Sequence, residues 1–242
     1  SSITTPIIDP LTGQPFPGNQ IPVSRFGAPA RALFSDQARY PLPNRGVSGV
    51  TGNYVGPTLL KIRANQGDAR VDWNASQNDK FFGRFSAATY EDARDVNPFP
   101  LVITSRNDQP FWNVGFNWNR ILGSTLVNEA MVGFSNTRVI SEAYDWAGLG
   151  AGNAAFGIAG GQPVNGLSEI SMGSGLSLIG QRALDSDTLA RTFQVNEKLT
   201  WLRGRHTLKF GGQWLHYNQR RFYAGNNGLL GFIAYNGAFT GV

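Results

Sequence analysis

The chain's 242 residues suffice for one large β domain or two average ones, and the charged fraction of 15% lies well below the roughly 25% of ordinary soluble domains. With 30 Gly, 16 Phe and only 2 Met, the composition is poor for helices and good for strands and turns. The absence of Cys excludes disulfides, Cys-zinc sites and thiol catalysis, and the formal charge of +5 is scattered, its longest run being Arg220-Arg221, which argues against a nucleic-acid partner.

Residues 1–57 read as a turn-rich loop region. Its start, SSITTPIIDPLTG, has neither a basic nor an apolar segment of a signal peptide. DPLTGQPFPGNQIP carries DP, TG and PG turn signals, and a short helix fits Ala28–Gln37 before PLPNRG closes it. From residue 59 to 139 the pattern is strands and one loop. Alternation runs through Arg70–Ala75, turns at SQND (76–79), and resumes from Lys80 to Tyr90. A proline-bearing loop, 91–110, precedes FWNVGFNWNRILGSTLVNEAMVGFS. There Trp112, Val114, Phe116 and Trp118 alternate with Asn113, Gly115, Asn117 and Asn119. After the break at 122–125, Ala130, Val132 and Phe134 continue the apolar phase.

Residues 140–187 read as a long Gly-rich loop. The uncharged stretch 147–168 holds seven glycines, so it is no apolar transmembrane helix, and GLGAGNAAFG (148–157) reads as flexible. A hairpin follows over 188–219, turning at 203–205, with Leu208, Phe210 and Trp214 on one face and Lys198, Lys209 and Gln213 on the other. Residues 220–242 return to loop composition.

Strands of about 10 residues or more, tight turns at one end and long connections at the other describe an outer-membrane β-barrel. Alternation alone fits a soluble antiparallel sheet equally well. The Asn/Gly face, the strand length and the loop asymmetry favour the barrel. A spanning sheet must pair all its backbone groups, and its outer face must be apolar. Trp112 and Trp118 lie about 20 Å apart along a strand, which suits an apolar band about 25 Å tall flanked by aromatic girdles. Trp112, Val114, Phe116, Trp118, Ala130, Val132, Phe134, Leu208, Phe210 and Trp214 are thus expected to face lipid. Arg120 and Glu197 share that phase as exceptions: Arg120 sits beside a turn, where it can snorkel to headgroups, and Glu197 is mid-strand.

DPLTGQPFPGNQIP (9–22), ARYPLPN (38–44), DARVDWNASQNDKFFGRFS (68–86), LGSTLVNEAMVGFS (122–135) and FQVNEKLTWLRGRHTLKFGGQW (193–214) resemble the OmpA-related (Oar-like) TonB-dependent receptors, abundant in acidobacteria and myxobacteria. The resemblance implies a barrel of about 22 strands around an N-terminal plug. It also implies a Gram-negative outer-membrane location and coupling to the TonB complex through the N-terminal part. On that reading the chain is an all-β internal fragment supplying about six to eight antiparallel strands, without plug or regulatory-like domain, and its edge strands would be unpaired and aggregation-prone.

No chemistry of covalent catalysis is legible. His206 and His216 lack further ligands at a metal spacing, and Asp185 and Asp187 read as a solvated loop. No nucleophile elbow, phosphate loop or dinucleotide fingerprint occurs. No enzyme, metal or cofactor is therefore expected. Arg84, Asn113, Asn117, Glu129, Lys198, Lys209 and Gln213 are the lumen-facing candidates, for plug, water or a permeating ligand. Tyr144, Trp146, Phe156, Phe222 and Tyr223 are loop aromatics that could meet an extracellular ligand. Two functions fit: energy-coupled uptake of a bulky ligand, or a structural or adhesive role at the cell surface.

Overall fold

Strands carry most of the chain in the computed structural model, which describes residues 5–46, 52–95, 101, 105–143, 145, 148, 151–172 and 178–235. In chain order these are helix α1 (Ala28–Ser35), strands β1 (Leu59–Asn74), β2 (Asp79–Asp95), β3 (Ser105–Asp108), β4 (Phe111–Gly123) and β5 (Leu126–Ala143), helix α2 (Gly152–Ala155), and strands β6 (Glu169–Ser171), β7 (Ser186–Arg203), β8 (His206–Tyr223) and β9 (Phe232–Ala234).

Seven strands form one antiparallel sheet, in which β3 and β4 both lie between β2 and β5, followed by β7 and β8. Strand β3 and strand β4 run as one line, interrupted at Gln109-Pro110. Proline has no N–H to donate, yet its carbonyl still accepts from Arg138 N at 3.0 Å. The sheet is thus a meander of long strands, each beside its sequence neighbour. The long strands run 13 to 18 residues. Among the described residues, β1 and β8 each present an edge with no partner strand.

The expected tight turns are present. Ser76 Oγ accepts from Asn78 N at 3.1 Å and Asp79 N at 2.9 Å, closing the β1–β2 turn. A bulge between Ile121 and Gly123 precedes the β4–β5 turn. Gly204, with φ of 60°, makes the β7–β8 turn.

At the opposite end several boundaries differ from the pattern reading. Strand β2 continues to Asp95, and β3 lies inside the expected loop 91–110. Strand β5 runs four residues past 139, to Ala143, and the last hairpin spans 186–223 rather than 188–219. These extensions are rich in Asp, Glu, Arg and Ser, so hydropathy alternation fades although the ladder continues. The segments 140–187 and 220–242 are not structureless loops. They contribute α2, β6 and β9, and β6 pairs with β9 in parallel.

With α1 they build a cap that holds the core. Leu33, Leu101, Phe156, Leu167 and Ile179 form one buried cluster, flanked by Ala32, Tyr40, Ile158, Ile170 and Met172. Asn153 and Ser168 are paired inside it: Asn153 Nδ2 donates to Ser168 Oγ, and Ser168 N donates to Asn153 Oδ1, both at 2.8 Å. Gly180, with φ of 70°, passes so close to Ser168 that a Cβ would lie 2.1 Å from its carbonyl oxygen. Helix α1 covers the expected 28–37 region but ends at Ser35. Before it, Asp9 clasps Arg25 through two 2.8 Å contacts.

Candidate functional site

Strand register decides which side chains share a face. Trp112, Val114, Phe116 and Trp118 pair with Asn136, Phe134, Val132 and Ala130 of β5. Beyond them on β7 stand Arg191, Phe193, Val195 and Glu197, and on β8 stand Asn218, His216, Trp214 and Gly212. Leu208 and Phe210 pair with Trp201 and Leu199 on the same face. All ten side chains expected to face outward therefore share one side of the sheet. Aromatic contacts knit it: Phe81 stacks on Trp73 at 5.3 Å and on Phe116 at 5.7 Å, and Trp112 meets Phe134 at 5.2 Å. Phe116 remains 48% exposed and Trp214 58%, so among the described residues nothing covers these side chains.

The two exceptions are also on it. Arg120 lies 3.6 Å from Asp79 and over the Trp118 ring, at the turn end. Glu197 is exposed between the small residues Ala130 and Gly212.

The opposite face is polar and carries the best candidate site. Arg84, Gly115, Gly133 and Gln194 lie in one row across β2, β4, β5 and β7. The two glycines leave no side chains at the centre of that row. Gln194 leans over the gap, where a Cβ on Gly133 would come within 2.9 Å of its Nε2. The result is a groove of about 310 Å³, walled by Phe82, Asn113, Asn117, Ser135 and Thr192.

Charge on this face is organised in pairs. Arg70 and Arg84 stand directly opposite each other, which alone would be repulsive. Each is neutralised by its own aspartate: Arg84 donates to Asp68 at 2.9 Å, and Arg70 binds Asp72 at 2.8 and 2.7 Å. Ser86 Oγ donates to the same Asp68 oxygen at 2.5 Å, and Arg70 also stacks over Phe82 at 4.3 Å. Lys198 forms an ion pair with Glu129 four residues nearer the tight turns than Gln194 and Gly133.

Of the seven lumen-phase candidates, Arg84, Asn113 and Asn117 line the groove. Glu129 and Lys198 pair beside it, while Lys209 and Gln213 stand on the exposed edge strand β8. Gly115, Gly133, Gln194, Ser135 and Thr192 join them. Their phase was readable along each strand, but the cross-strand row that unites them was not. The loop aromatics fare differently. Phe156 is 5% exposed and belongs to the cap core, so it is not available as a surface contact for a ligand. Phe222 and Tyr223 are the last residues of β8, not loop residues. Tyr144 and Trp146 lie outside the described residues.

The groove offers a guanidinium, amides, hydroxyls and one ring. These groups recognise polar solutes by hydrogen bonding and stacking. Among the described residues no three His, Cys, Asp or Glu side chains converge as metal ligands.

Comparison with known proteins agrees with this architecture. The family described as outer membrane beta barrel domain matches residues 1–242, and that family is typically non-enzymatic. No curated protein and no solved structure gives a match. A continuous antiparallel sheet, aromatic on one face and polar on the other, with a match over the whole length, has one conclusion: the chain belongs to the outer membrane β-barrel domain family and is an outer-membrane protein.

Proposed function

We propose that this chain supplies wall strands and outer cap of an energy-coupled receptor of the TonB-dependent, Oar-like kind, which takes up a bulky extracellular ligand. The observation that carries the reading is the division of the sheet. An exposed aromatic face bears Trp112, Phe116 and Trp214, and a polar face bears the Arg84–Gln194 groove. In a bilayer the first is solvated by acyl chains and the second faces the lumen, where a plug or a permeating solute meets Arg84, Asn113 and Asn117.

The cap stands at the end of the sheet away from the tight turns, the extracellular end in such barrels. It has its own buried core, so it presents a shaped surface to ligand rather than a loose loop. Uptake then needs no covalent step. The cap captures the ligand, the TonB complex acts on the receptor's plug, and the polar face accompanies passage.

The test is accumulation of labelled iron siderophores, oligosaccharides and peptides in cells deleted for the protein and in cells deleted for TonB. Loss of the same solute in both strains is the expected result. Unchanged accumulation of every solute, with altered surface adhesion, would replace this reading with a structural role at the cell surface.

A further inference from the structure

We propose that the outward face of β5, β7 and β8 carries a docking site for the phosphate of an anionic membrane lipid, built by Arg138, Arg191 and Arg220. The inference rests on the bilayer orientation proposed above.

The register supplies the first argument. Arg191 stands between Asn136 and Asn218 in one row across the three strands. In the next row outward, Leu189 stands between Arg138 and Arg220. Six consecutive positions of one face thus hold three guanidiniums, two carboxamides, a leucine and no carboxylate. Neighbouring strands lie about 4.8 Å apart, so the backbones of Arg138 and Arg220 are separated by about 10 Å. Arg191 lies one strand and one row from Arg220, so these two side chains can meet on one phosphate, whose oxygens suit the guanidinium fork, with Arg138 adding its charge from beside them.

Position supplies the second. The row immediately toward the tight turns is Phe134, Phe193 and His216, followed by Val132, Val195 and Trp214. A molecule with apolar chains and a phosphate at their head matches both zones at once. A free anion would use only the arginines.

Charge supplies the third. The nearest acid on this face, Asp187, is one row further out and is engaged by Arg138 at 2.8 and 2.6 Å. Glu142, further out again, also faces Arg138, and Asp187 lies within electrostatic reach of Arg220. Among the described residues neither Arg191 nor Arg220 forms an ion pair; Arg191 Nε donates to Asn136 at 3.2 Å. The other flank of the same fringe is different. There Arg63 and Arg106 are each held by carboxylates, Glu91 and Asp108, at 3.3 to 3.5 Å.

The experiment places the intact protein in nanodiscs of phosphatidylcholine containing a minor fraction of phosphatidylglycerol and counts the lipids it retains by native mass spectrometry. Phosphatidylglycerol should be enriched about fivefold over its bulk fraction, the effect of one arginine at an anionic membrane surface. R191Q/R220Q should abolish the enrichment, R191K/R220K should keep most of it, and R205Q, in the tight turn before β8 at the opposite end of the sheet, should not change it. Tryptophan quenching by brominated phosphatidylcholine is read in parallel. Quenching without enrichment, or enrichment that survives R191Q/R220Q, overturns the docking site while the orientation stands. Absence of quenching overturns the orientation itself. Enrichment lost on adding inorganic phosphate would reassign the arginines to a free anion and overturn the lipid assignment.

Discussion

In the sheet, Trp112, Val114 and Phe116 stand off one face and Asn113, Gly115 and Asn117 off the other, and none of the six is buried. In the cap, Leu101, Leu167 and Ile179 are wholly shielded from solvent. The wall carries ladder hydrogen bonds and aromatic contacts but no apolar interior, so its stability depends on what lies outside it. The cap carries its own apolar interior. In the orientation proposed above the wall meets lipid and the cap meets water, so each region should fail in its own way.

The largest effect should come from the cap. Gly180→Ala adds a methyl 2.1 Å from the Ser168 carbonyl oxygen at a left-handed backbone. The backbone alone costs about 1–3 kcal/mol, and the fixed oxygen cannot move aside. Hydrogen exchange should show residues 152–172 and 178–182 losing protection while β4 and β5 keep theirs. Loss of protection throughout the sheet would show that the cap and wall are one folding unit.

The wall is tested by placing one charge on each face. Phe116→Arg should weaken folding into lipid by about 2–4 kcal/mol, the effect of arginine near the midplane of a lipid face. Asn117→Arg, one residue on, should do far less because it enters the polar groove. Urea unfolding in phosphatidylcholine vesicles measures both, and equal losses would remove the distinction between the faces. Glu129→Gln is smaller again. Its partner Lys198 is half exposed, so the loss should stay within about 1 kcal/mol.

The smallest effect is at Asp9. Its hydrogen bonds to the Arg25 guanidinium hold its carboxyl below the usual carboxylate range. A carboxyl with a lowered folded value stabilises above its unfolded value, near 3.8, and loses that contribution as pH falls through the folded one. Trypsin cleavage after Arg25 should therefore stay slow at neutral pH. In a hydrogen-exchange series, protection of residues 9–25 should fall only below pH about 4, with the sheet unchanged.

The strands were legible where hydropathy alternates without competition. Trp112–Trp118 and Leu208–Trp214 announce their faces because each has bulky apolar groups at every second place, or nearly so. Beyond residue 139 the same strand continues through Ser141 and Glu142, and before residue 188 through Ser186 and Asp187. Polar residues on both faces erase the period, although the backbone ladder does not need it. Of the groove, Arg84, Asn113 and Asn117 could be placed on the polar face one strand at a time.

By itself, then, the sequence determined the strand type, the two-faced character of the wall and the tight turns, because these depend on neighbours within a few residues. Tertiary structure alone decided that Arg84, Gly115, Gly133 and Gln194 form a row, that Phe156 is core, and that Arg138, Arg191 and Arg220 stand in adjacent rows of one face. Those facts depend on register between strands and on packing between segments as distant as Leu33 and Ile179. No local pattern encodes such distances, because the pairing is set by the sum of all contacts.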